Sequence, residues 1–112
     1  MTQEFIYHII SENEWEGVSK KDSYAPVSLS SEGFIHFSFF DQVDSVIKRY
    51  YKELEDLLVL KVESSKIQSD LKIETVGDFG GYPHLYNELK LENVVGYYRI
   101  QKNDNGDYFW LE

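Results

Sequence analysis

Cysteine is absent from all 112 residues. Disulfides, thiolate metal sites and cysteine nucleophiles are thereby excluded. The composition suits a reducing compartment such as the cytoplasm. Basic residues are scarce as well: 11 Lys and Arg stand against 20 Asp and Glu, a formal net charge of -9. Affinity for nucleic acid comes largely from phosphate neutralisation by Lys and Arg, so neither nucleic acid nor an anionic membrane surface is an expected partner. A small anionic ligand in a local pocket is compatible with the global charge. No segment approaches the ~20 apolar residues that span a bilayer. The N-terminal "MTQEFIYHII" lacks the basic-then-apolar order of a signal peptide. The expectation is one soluble, cytoplasmic domain over residues 1–112.

Aromatic residues, by contrast, are plentiful: 9 Tyr and 7 Phe support a core, and a chain this rich in them is not disordered. "EFIYHII" (Glu4 to Ile10) is β-branched and aromatic on both faces and reads as a central strand. Ser11 with Glu14 three residues on is a capping-box pattern. It predicts a short helix to about Lys20, with Trp15 and Val18 toward the core. "KKDSYAPVSLSSEG" reads as a polar connection and "FIHFS" as the second strand. Ser38 or Asp41 can cap a second helix running to about Lys52. In it Val43, Val46, Ile47 and Tyr50 share one face, while Asp44, Lys48 and Arg49 point away. "DLLVLKV", "LKIETV" and "NVVGYYRI" are further strands, "GDFGGYPHLYNEL" an irregular stretch, and "NDNG" the turn of a C-terminal hairpin that "DYFWL" closes. Helices early and strands late predict an α+β fold with mixed or antiparallel sheets.

The chemistry concentrates in three histidines. His8 and His36 sit inside apolar strands, and His84 lies in the Gly/Pro-containing stretch. A histidine among apolar neighbours must have its ring nitrogens satisfied or it costs stability. Any one of them reads as structural, whereas three together point to a shared site. No His-x-His or His-x-x-x-His pair supports a metal centre, and none is assigned. "HFS" (His36 to Ser38) fits the His-x-Ser/Thr element of phosphoesterases that use two histidines as acid and base. That element must occur twice, however. His8 is followed by Ile9 and Ile10, and His84 by Leu85 and Tyr86. Alternation along the strand sets Ile35 and Phe37 on one face and Phe34, His36 and Ser38 on the other. Tyr86, two after His84, shares its side if that segment is extended. Gly80 and Gly81 read as an ordinary turn, or as backbone able to approach a diphosphate.

"YHI", "SLSSEGFIHFS", "DLLVLKV", "LKIETV" and "YPHLYNEL", in this order, resemble the bacterial domain of unknown function 952 family across nearly the full length. Phe37 replaces that family's usual Cys, and Tyr82 its usual Phe before Pro83. The resemblance implies an ADP-ribosyltransferase-like fold of split mixed or antiparallel sheets, with two early helices and a C-terminal hairpin. It also implies a pocket for NAD or another nucleotide. His8 is then the ribose contact, and His36 stacks on nicotinamide or acts as acid or base. Ser38 follows in the pocket, and His84 with Tyr86 closes it. The glutamate that transferases carry on a late strand has only unaligned candidates, Glu74 and Glu88. Three readings follow: an ADP-ribosyltransferase-like or NAD-processing enzyme, a nucleotide-binding module without turnover, and a domain whose histidines are buried for stability. Under the first two the histidines converge on one cleft; under the third they lie apart.

Overall fold

A computed structural model of the chain describes residues 4–51, 56–77 and 80–110. The fold is α+β, and its sheets are antiparallel throughout the described residues. Strand β1 (Phe5–Ser11) forms as its composition predicts, with five consecutive buried residues. Helix α1 (Glu12–Val18) follows, and the Ser11 hydroxyl accepts the Glu14 N–H at 3.1 Å. The Glu14 carboxylate serves another partner, the Tyr24 hydroxyl at 3.2 Å. Trp15 and Val18 pack half-buried against the core, as their spacing requires. Ser11→Ala leaves that amide without its acceptor and is expected to cost about 1 kcal/mol of stability in chemical denaturation. An unchanged midpoint would show that the cap contributes nothing.

The segment read as a polar connection is structured, which corrects the sequence reading. It holds β2 (Ser23–Tyr24), paired with β7 (Leu89–Lys90), and helix α2 (Val27–Ser31). Neither is long enough to produce a periodic signal. At the end of α2 the amides of Glu32 and Gly33 both donate to the Ser28 carbonyl. Gly33 takes φ +92°, a value that L side chains rarely adopt, and turns the chain into β3 (Ile35–His36).

Helix α3 (Val43–Tyr50) is entered through a 3-10 turn at residues 40–42. The expected end near Lys52 lies outside the described residues. Strands β4 (Leu57–Glu63), β5 (Leu71–Thr75) and β8 (Val94–Arg99) match the apolar runs. β9 (Gln101–Lys102) and β10 (Tyr108–Phe109) form the expected terminal hairpin, although Leu111 of "DYFWL" is outside the described residues. The stretch expected to be irregular contains β6 (Gly81–Leu85), the central strand of a sheet ordered β3-β6-β5. Gly80, at φ +87°, closes the β5–β6 turn by accepting the Val76 amide and does not line the cleft described below.

Proline inside a central strand is unusual because it cannot donate to the ladder. Here the carbonyl of Pro83 accepts the Phe37 N–H at 3.0 Å. The missing N–H faces the same side, where the segment after β3 leaves β6 and crosses to β1. There Tyr7 and Ser38 exchange two backbone bonds of 2.8 and 2.7 Å. That bridge joins the β3-β6-β5 sheet to a second sheet ordered β1-β4-β8. One core cluster, with Ile6, Ile35, Leu60 and Leu85, lies on one side of these sheets. A second, with Tyr7, Val43, Ile47 and Val59, seats α3. No helix of the described residues is long and apolar enough to cross a membrane.

Candidate functional site

One face of the β3-β6-β5 sheet gathers a cluster of polar and aromatic side chains. His36 pairs with His84, His84 with Lys72, and Tyr82 with Glu74. Cross-strand partners share a face and residues two apart on a strand share it too. Thus Phe34, His36, Lys72, Glu74, Tyr82, His84 and Tyr86 crowd together. Ile35 and Leu85 go to the opposite, buried face. The pleat itself builds the site.

Two imidazoles are held by carboxylates. His84 Nδ1 donates to Glu74 Oε1 at 2.8 Å, and the Tyr86 hydroxyl donates to that same oxygen. The Tyr86 bond first, and the His84 bond second, hold the Glu74 carboxyl below its ordinary range. Phe34 stacks on the His84 ring at 4.0 Å and 17°. The His84 side chain is only 6% exposed, yet its Nε2 has no hydrogen-bond partner. A buried polar atom without a protein partner calls for an explanation, and this one belongs to a residue lining a cleft. His36 is half exposed, and its Nε2 donates to Glu32 Oε2 at 2.6 Å. The two imidazole centroids stand 5.4 Å apart.

The cleft has a volume of about 510 Å³. His36, Ser38, Tyr82 and His84 line it from the sheet, and Val46, Arg49 and Tyr50 from α3. Those three helical residues fall at i, i+3 and i+4, one stripe of the helix. Val43 and Ile47 form the neighbouring stripe that enters the core. This corrects the helical assignment made from sequence: Arg49 does not point away, and Tyr50 is 62% exposed rather than core. The guanidinium lies over the rings of Tyr50 at 5.4 Å and Tyr82 at 5.7 Å, and donates to the Tyr82 hydroxyl. Sequence reasoning missed Arg49 and Tyr82. The signal available was the alternation Tyr82-x-His84-x-Tyr86, masked by Pro83.

His8 sits elsewhere. Its ring is buried, with Nδ1 donating to the His36 carbonyl at 2.6 Å and Nε2 at 3.1 Å from the Tyr24 hydroxyl. Burial drives its pKa from 6.5 down to about 4, more strongly than the carbonyl bond raises it. The neutral ring therefore prevails above that pH. His8 does not line the cleft; it holds the backbone of the residue that does. Of the five residues singled out from sequence, His36, Ser38 and His84 line the cleft. Tyr86 adjoins it through Glu74, and His8 braces it from behind.

Among solved structures, the crystal structure of protein CC0527 from Caulobacter crescentus is 25% identical to this chain, with a TM-score of 0.84 over 94% of this chain and 93% of that one. The solution structure of CC0527 is 26% identical, with a TM-score of 0.80 over 92% and 90%. No curated protein matches the chain. The model of the family described as a protein of unknown function, DUF952, matches residues 9–97, a span that takes in α1, α3, β3, β6 and both cleft histidines. On that match the chain belongs to the DUF952 family.

Proposed function

We propose that the cleft between α3 and the β3-β6-β5 sheet binds a nucleotide, NAD being the leading candidate, in an ADP-ribosyltransferase-like architecture. The observation that carries this reading is one cavity joining tyrosine walls, a cation and two imidazole side chains, one of which has a buried, unpartnered nitrogen. Its ~510 Å³ lies within the roughly 300–1,000 Å³ of small-molecule sites. Bases and nicotinamide stack on aromatic faces, and phosphate pairs with a guanidinium. The architectural part of the proposal is supported by two three-stranded sheets that part beside the Tyr7–Ser38 bridge, next to the cleft. A net charge of -9 favours a single nucleotide over a polynucleotide. The lack of cysteine motivates a cytoplasmic setting for this binding.

In this reading His36 and Tyr82 flank the ring of the ligand, Arg49 meets phosphate, Ser38 helps define an end of the pocket, and Tyr86 acts on it only through Glu74 and His84. His8 contributes through the His36 backbone rather than by touching ribose. Binding without ADP-ribosyl transfer is favoured by Glu74, whose carboxylate is already engaged by His84 and Tyr86.

Calorimetry and amide shift mapping with NAD, ADP-ribose and AMP test this directly. Perturbations are expected at residues 36–38, 49–51 and 82–84. Arg49→Ala should weaken ADP-ribose about 10- to 100-fold, the loss of a charge-assisted pair. Silence at millimolar ligand, or shifts confined to another face, would defeat the proposal.

A further inference from the structure

The cleft holds two imidazoles, and each has one nitrogen fixed by a carboxylate. An ionised carboxylate only accepts, so the fixed nitrogen carries a proton. Each ring is left with one further nitrogen for proton transfer: Nε2 on His84 and Nδ1 on His36. The rings are 5.4 Å apart, close enough to serve one phosphoryl group. Arg49 lines the same cleft and supplies charge for its oxygens. One base and one acid suit a reaction that removes a proton from the nucleophile and gives one to the leaving group. Nicotinamide leaves its ribose as a neutral pyridine and needs no acid. A ribose oxygen leaving phosphorus does.

We infer that His84 and His36 are the base and acid of a phosphoester hydrolase acting on a 2′,3′-cyclic nucleoside phosphate. This rests on the nucleotide reading of the same cleft, adds a reaction to it and moves His36 from the ring of the ligand to its phosphate. His84 Nε2 is buried without a partner in the free protein; with the ester bound it takes a proton from water as the water oxygen bonds to phosphorus. His36 enters the step as an imidazolium, with Nε2–H on Glu32 and Nδ1 also protonated; the bond from phosphorus to one ribose oxygen breaks, and that oxygen takes the Nδ1 proton. The product is a nucleoside monophosphate, and solvent returns the proton from His84 to His36, whose side chain is 52% exposed. Glu74 is a positioning residue that fixes the His84 tautomer. The missing second His-x-Ser element is thereby explained: cross-strand register, not a repeat, brings in the second histidine.

The test uses the full chain with 2′,3′-cyclic AMP, following hydrolysis by phosphorus NMR, with 3′-AMP as a binding probe in calorimetry. Wild type should hydrolyse the cyclic ester. His36→Ala, at a half-exposed position that leaves the core intact, should lower kcat about 100-fold or more while still binding 3′-AMP. His84→Gln should do the same, with thermal unfolding confirming its fold. Glu74→Gln should lower kcat and Glu74→Asp should recover part of it, with thermal unfolding confirming that both variants are folded, a rescue that loss of structure alone would not produce. Binding of 3′-AMP without hydrolysis overturns the inference and leaves the nucleotide reading standing. Absence of both overturns both. Hydrolysis undiminished by His36→Ala overturns the assignment of the acid.

Discussion

Ile47→Ala is expected to lower the unfolding free energy by about 3 kcal/mol or more, combining lost transfer energy with an unfilled cavity. Ile47 is 0% exposed and belongs to the cluster that includes Tyr7, Val43 and Val59. Helix α3 is only eight residues long. A helix this short is marginal alone and depends on packing for its stability. Ile47 and Val43 supply that packing, and the same helix carries Arg49 and Tyr50 into the cleft. The variant should therefore weaken ligand binding as well as stability. Val27→Ala, at a position 79% exposed, should stay within about 0.5 kcal/mol of wild type. Urea denaturation compares the two, and a loss below about 1 kcal/mol at Ile47 would contradict its role in seating α3 on the core.

Acid should unfold this protein partly through His8. The native ring binds its proton at about 4, whereas the unfolded chain binds it at 6.5. Between those values the unfolded state holds more protons, so falling pH favours unfolding. The contribution of His8 is fully present above pH 6.5 and is lost as pH falls from 6.5 through 4. The limit is about 3 kcal/mol, and about 2.5 kcal/mol is gone by pH 4.5. His8→Asn retains a donor for the His36 carbonyl and does not titrate. Its stability at pH 7 should be lower than that of wild type, but its decline between pH 7.5 and 4.5 should be about 2.5 kcal/mol shallower. Parallel declines in the two proteins would assign the acid sensitivity to other groups.

Much of the local structure was legible. Ser11 caps α1 because a hydroxyl at that position accepts an orphan amide wherever the helix lies. Alternation put Phe34, His36 and Ser38 on one face of their strand, and the structure sends Phe34 onto His84 and sets His36 and Ser38 in the cleft. The strand at Gly81–Leu85 was hidden because a proline normally argues against a central strand. What makes Pro83 acceptable is the departure of a neighbouring strand, and no local pattern records that.

The sequence by itself determined the order of elements, the absence of thiol chemistry, the family motifs and the three histidines. Only the tertiary structure decided which histidines work together. His36 meets His84 through the register of two strands 48 positions apart in the chain, while His8 is turned into the core behind them. Arg49 was likewise undecidable from helical spacing. Its stripe faces solvent or ligand according to how α3 rotates on its seat, and Val43 and Ile47 fix that rotation by burying the adjacent stripe. Local propensity fixes what each element presents. Register and docking, which depend on residues far apart in sequence, fix what it faces.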